Sequence, residues 1–204
     1  MYFNIYSLEV TVLDASKFHL SLTRSILSQM GVRRIRISDQ LGVVLDALLA
    51  EPSGLLIVDS KLPEGISCLR LIRRIRSPVF QPLCFMPIIV TSSAPTDKFV
   101  ESAIRNGANY VIAKPYSLRV LQQRIQRVIT DNDGLELKED RYVLRQMIES
   151  MEARAMCANP ALFASLRFGD ANQEGRNPSD TKLDRQSLID MLRKPDTEPP
   201  VNNV

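Results

Sequence analysis

Short apolar runs and amphipathic stretches alternate through the first 130 residues. Val10-Thr11-Val12-Leu13 ends at Asp14, Leu55-Leu56-Ile57-Val58 at Asp59, Pro87-Ile88-Ile89-Val90 at Thr91, and Tyr110-Val111-Ile112-Ala113 at Lys114. Apolar runs this short, bounded by turn residues, read as buried strands. Arg34-Ile35-Arg36-Ile37 alternates instead, as a half-covered strand does. Between them lie helical patterns. The first runs from Phe18 to Met30, offers Leu20, Leu22, Ile26, Leu27 and Met30 to a core, and stops at Gly31. Others run from Leu41 to Leu49, Ile66 to Ile75, Thr96 to Arg105 and Ser117 to Ile129, and residues 77–86 read as a Pro-broken connection. Five βα units in succession predict an α/β domain with a parallel sheet covered on both faces. The nearly continuous Val/Ile/Leu of the central strands fits that double burial.

Past Asp131-Asn132-Asp133-Gly134 the pattern changes. Leu144, Met147, Ile148, Met151 and Ala155 recur at helical spacing, which predicts an amphipathic helix within 135–157. Its stripe suits a two-stranded coiled-coil seam, hence a homodimer, and equally suits folding back on the domain. Residues 158–204 are rich in Asn, Asp, Ser and Pro and are expected to be mostly disordered. One short amphipathic segment, 181–193, interrupts them with Leu183, Leu188, Ile189 and Leu192, and Asp180 is placed to cap it.

Composition narrows the class. Apolar content of 45%, charged content of 24% and a net charge of +3 describe an ordinary globular chain with little general pull toward nucleic acid. The basic groups Arg33-Arg34-Arg36 and Arg70-Arg73-Arg74-Arg76 are expected to be solvated faces, and no helix-turn-helix or zinc module accompanies them, so nucleic acid is not an expected partner. Three cysteines, Cys68, Cys84 and Cys157, form no disulfide framework or metal motif; packing roles and a cytoplasmic location are expected. No apolar run approaches the roughly 18 residues of a membrane span, and Met1-Tyr2-Phe3-Asn4 does not open a signal peptide.

Chemistry concentrates at the strand ends. Ligands of parallel α/β sheets bind at the carboxyl ends of strands. Asp59, Thr91 and Lys114 converging there would give a carboxylate, a hydroxyl and an ammonium able to receive and hold a phosphoryl group. With Val12-Leu13-Asp14-Ala15-Ser16, Ile57-Val58-Asp59, Leu62-Pro63, Gly65, Ile89-Val90-Thr91, Gly107-Ala108 and Lys114-Pro115, residues 8–130 resemble the response-regulator receiver domain of two-component signalling. The resemblance implies a flavodoxin-like doubly wound (βα)5 fold with strand order 2-1-3-4-5, and a signalling protein rather than an enzyme. Asp59 would accept phosphate from a histidine kinase or phosphotransfer protein. Thr91 would bond a phosphoryl oxygen, and Lys114 would pair with the phosphoryl group or the carboxylate. A Mg²⁺ ion would be held by Asp14, Asp59 and the backbone carbonyl of Lys61.

Two positions depart from that pattern. The family usually carries two adjacent acids after the first strand, the second binding Mg²⁺ directly; here Ala15 follows Asp14. A methyl group cannot coordinate a hard cation that demands oxygen, so a weak or absent Mg²⁺ site is expected. Three carboxylates and one lysine would sum to −2; Asp14, Asp59 and Lys114 sum to −1, and Lys61 brings the local balance nearer zero. Asp14 then serves either as a water-mediated metal ligand or as a carboxylate at a helix N-terminus. The fifth-strand aromatic of many receivers is replaced by Val111, and the neighbouring Tyr110 should face the other way. These departures leave a phosphorylation-independent adaptor as the alternative. Ser16 is expected to cap the first helix. His19, the only histidine, has no acid–base partner in the pattern and is expected at the surface or in packing.

Overall fold

The computed structural model describes residues 5–130, 134–138 and 141–145. The order is β1 (Glu9–Leu13), α1 (Lys17–Gln29), β2 (Arg34–Ser38), α2 (Leu41–Ala50), β3 (Leu55–Asp59), α3 (Cys68–Ile75), β4 (Ile88–Ser92), α4 (Asp97–Arg105), β5 (Tyr110–Ala113) and α5 (Leu118–Thr130), then the strands β6 (Leu135–Lys138) and β7 (Arg141–Leu144). β1 to β5 form a parallel sheet in the order β2-β1-β3-β4-β5, as the resemblance implied. Among the described residues no helix is long and apolar enough to cross a membrane.

The strand period of two divides the core. Leu56, Val58, Ile88 and Val90 point to the face covered by α2, α3 and α4; Leu55, Ile57, Ile89 and Ile112 point to the face covered by α1 and α5. Every residue of β3 and β4 is buried, and each large apolar side chain so removed from water contributes roughly 1.5–3 kcal/mol. β2 sits at the sheet edge and none of its residues is fully buried, which accounts for its alternating arginines. Val111 and Tyr110 do face opposite ways, toward the α3–α4 side and the α1–α5 side respectively. In α1, Leu22 is 42% exposed and Thr23 takes the buried position instead.

Arg76 was expected on a solvated basic face, yet it is fully buried. Its guanidinium donates to the carbonyls of Gly107, Cys84 and Met86 and to Asn109 Oδ1 at 2.7–3.2 Å. Burial lowers its pKa to about 10, so it remains charged at neutral pH. Gly107 has φ +103°, and a Cβ there would fall 2.6 Å from Arg76 Cγ, so the arginine occupies the space a side chain would need.

The helix expected from residue 135 does not form over residues 135–138 and 141–144, which are strands. Residues 135–138 and 141–144 are an antiparallel pair, with Leu135 opposite Leu144 and Lys138 opposite Arg141. Tertiary contacts decide this. Tyr142 N donates to Arg76 O at 2.8 Å, Gln81 Nε2 donates to the Tyr142 hydroxyl at 2.9 Å, and the Phe85 and Tyr142 rings lie 4.7 Å apart. Val143 and Leu144 are buried against Ile104 of α4. The alternation of Leu135-Glu136-Leu137-Lys138 suits one covered face, and docking satisfies backbone groups that a local helix would otherwise pair. Residues 146–157 of the expected helix, the 181–193 segment and the 158–204 tail lie outside the described residues.

Candidate phosphoryl-acceptor site

Register brings the predicted residues together. Asp59 and Thr91 are Cα partners on β3 and β4. Asp14 follows the last residue of β1, which pairs with Val58, and Lys114 follows the last residue of β5, which pairs with Ser92. All four side chains therefore leave the same edge of the sheet.

Lys114 is the hub. Its Nζ donates to Asp14 Oδ2 at 2.5 Å and to Asp59 Oδ1 at 2.6 Å. The three side chains are only 6–9% exposed. Burial disfavours the ammonium, but the hydrogen bonds and charges of Asp14 and Asp59 outweigh it and raise the Lys114 pKa above the ordinary lysine value. The Thr91 hydroxyl lies 3.5 Å from Asp59 Oδ1, the long limit of a hydrogen bond. Asp59 Oδ2 accepts from the backbone N–H of Lys61 at 2.9 Å. Ser60 donates to Ser92 at 3.1 Å beside it.

Local sequence explains the entry to α1. Asp14 Oδ1 accepts from Ser16 N at 2.8 Å, and Ser16 Oγ accepts from His19 N at 3.4 Å as the expected cap. His19 is not without partners: its Nδ1 lies 3.3 Å from Lys114 Nζ and 3.6 Å from Asp14 Oδ2. The contact joins residues far apart in sequence and left no signature in the helical pattern. Cys68 and Cys84 are buried, as packing roles require. Burial and then the Asp59 charge push the Cys68 thiol up to about 11, which leaves it protonated and unsuited to attack at neutral pH. Burial also raises the pKa of Tyr116, whose hydroxyl meets Thr23 Oγ1 at 2.6 Å.

The donor set offers a divalent cation two carboxylates and a backbone carbonyl, a thin set of protein oxygens for such an ion. Each of the four carboxylate oxygens of Asp14 and Asp59 already takes a hydrogen bond from Ser16, Lys114 or Lys61. Ala15, exposed at the rim, offers carbon where a third oxygen is needed. Among the described residues no three His, Cys, Asp or Glu side chains are grouped to hold a metal. The expected set of Asp14, Asp59 and the Lys61 carbonyl therefore contains two carboxylates already neutralised in part by Lys114.

The sequence model of the response regulator receiver domain matches residues 10–126, more than half of the chain. The chain belongs to the receiver family. As a receiver it is similar to the chemotaxis protein CheY of Pseudomonas aeruginosa, 23% identical over 128 residues, covering 62% of this chain and all of CheY. It is 26% identical over 133 residues to ethylene receptor 2 of Oryza sativa subsp. japonica, covering 63% of this chain but only 17% of that receptor. The receiver domain of the sensor histidine kinase PA1611 from P. aeruginosa, solved with a magnesium ion in its active-site cleft, superposes with a TM-score of 0.53 at 20% identity, covering 60% of this chain and 97% of that domain. At that identity the likeness speaks for the fold.

Proposed function

We propose that this receiver accepts one phosphoryl group on Asp59 from a histidine kinase or a histidine phosphotransfer protein in the cytoplasm, and signals through protein contacts rather than as an enzyme. The observation that carries the reading is the Lys114 ammonium held between Asp14 and Asp59, with Thr91 in register beside the acceptor. In the transfer, an Asp59 oxygen forms the new bond to phosphorus as the bond from phosphorus to the donor's imidazole nitrogen breaks. The electron pair stays with that nitrogen, and Asp59 becomes an acyl phosphate. Charge builds on the phosphoryl oxygens, and a buried cation and a hydroxyl already aimed at the site offset it without large reorganisation. Lys114 exchanges its Asp59 contact for a phosphoryl oxygen, and Thr91 donates to another.

Ala15 makes the metal contribution weak in this reading, so Lys114 is the principal counter-charge. The same alanine favours a second reading, a phosphorylation-independent adaptor whose clasp is purely structural. Acetyl phosphate added to the full chain, with and without Mg²⁺, separates them by intact mass. The acceptor reading expects the mass of one phosphoryl group on the wild type, none on Asp59→Asn, and a modest dependence on Mg²⁺. Unmodified wild type under every condition supports the adaptor.

A further inference from the structure

The Lys114 ammonium has three protons and meets three acceptors: Asp14 Oδ2 at 2.5 Å, Asp59 Oδ1 at 2.6 Å and His19 Nδ1 at 3.3 Å. An ammonium has no lone pair, so a hydrogen bond at this contact requires Lys114 to donate and His19 Nδ1 to accept, the tautomer with its proton on Nε2; Asp14 Oδ2, 3.6 Å from the same nitrogen, would favour the other tautomer. The ring is placed by the cap that begins α1, where Ser16 Oγ accepts from His19 N. One turn on, Thr23 meets the Tyr116 hydroxyl at 2.6 Å. His19 and Thr23 lie four residues apart on one helix face, so α1 is tied to the segment after β5 at two points. Beside both ties lies a cavity of about 290 Å³ lined by Phe18, His19, Leu22, Thr23, Lys114 and Tyr116.

We propose that His19 is a positioning residue for phosphoryl acceptance at Asp59, acting through Lys114; the proposal rests on the acceptor reading above. With two acceptors, an ammonium on a flexible stem can swing about the line that joins them. A third acceptor fixes its position. The difference matters when Asp59 reacts, because the carboxylate oxygen that held Lys114 becomes part of an acyl phosphate and accepts less strongly. Asp14 and His19 then retain Nζ near the incoming oxygens, and less orienting freedom is lost in the transition state. His19 touches neither donor nor phosphorus in this role.

The test uses the full chain in three forms: wild type, His19→Leu and His19→Asn. The asparagine side-chain oxygen lies near the place of Nδ1 and preserves an acceptor. The readouts are the Lys114 15Nζ resonance, the imidazole nitrogen spectrum of His19, and the rate of labelling by acetyl phosphate. The expected result is an imidazole protonated at Nε2 only in the wild type. In His19→Leu the Lys114 resonance shifts and labelling slows by about three- to tenfold, the span of one net hydrogen bond. His19→Asn recovers both. An imidazole protonated at Nδ1, or a Lys114 resonance unmoved by His19→Leu, overturns the positioning role alone. Unlabelled wild type with a resonance that still moves overturns the acceptor reading, and the kinetic role with it, while the contact stands.

Discussion

Replacing Lys114 by methionine removes the cation that bridges Asp14 and Asp59. The two bridged oxygens lie 2.5 and 2.6 Å from Nζ. They are therefore no more than about 5 Å apart, and at an effective dielectric near 20 two such charges repel by roughly 3 kcal/mol. Two charge-assisted hydrogen bonds, each worth about 1.5–3 kcal/mol, are lost as well. Relief of the ammonium's own desolvation penalty offsets part of this. Breaking a buried pair by removing one partner typically amounts to about 3–5 kcal/mol, and Lys114→Met is expected in that range at pH 7. The lysine pKa is raised in the folded state, which fixes the pH dependence. Its contribution is fully present below the unfolded value near 10.4 and is lost only as pH rises through the higher folded value. Urea unfolding of both forms should show a constant gap from pH 7 to about 10 that narrows above it. Adding Asp14→Asn to Lys114→Met should recover part of the loss. A gap under about 1 kcal/mol at pH 7, the worth of a surface ion pair, would refute the clasp as a strongly coupled unit.

Ala15→Asp restores a second acid beside Asp14 and should strengthen Mg²⁺ binding at least about tenfold by isothermal titration, a gain of roughly 1.4 kcal/mol; tight binding by the wild type, unaltered by the substitution, would show that another ligand set holds the ion. Gly107→Ala places a methyl 2.6 Å from Arg76 Cγ at φ +103° and should lower stability by about 1–3 kcal/mol in urea, whereas an unchanged midpoint would mean that Arg76 yields without loss. Ending the chain at Thr130 removes the Tyr142 bond to Arg76 O and uncovers Ile104; faster hydrogen exchange at the end of α3 and in α4 is expected, and unchanged exchange there would make the hairpin a passenger.

The sheet was legible because four of its five strands are apolar runs followed by a polar residue, while the edge strand β2 shows the alternation of a half-covered strand. Asp59, Thr91 and Lys114 follow from the same property, since the first polar residue after each apolar run lies at the carboxyl end of the sheet. Four features were less legible, each for a physical reason. Arg76 stands among half-buried arginines and has a carbonyl cage assembled from distant segments instead of an acidic partner that spacing could reveal. His19 sits on an amphipathic helix, and its partner Lys114 arrives from the last strand of the sheet. Leu22 fits the apolar stripe of α1 but lies at the cavity rim, while Thr23, able to bond Tyr116, takes the interior. The paired strands 135–138 and 141–144 carried a period of two, but the helical stripe that begins at Leu144 reads equally well until docking on Arg76 and Ile104 selects the strand.

The most direct test of the Lys114-clasped acceptor is beryllofluoride, a phosphoryl mimic, titrated into the full chain while the Asp59, Thr91 and Lys114 resonances are followed. Saturable shifts are expected at all three, with Lys114 moving most, and none in Asp59→Asn. Resonances that stay fixed in the wild type through the titration, with Mg²⁺ present and absent, would contradict it and leave a receiver fold whose acceptor does not accept.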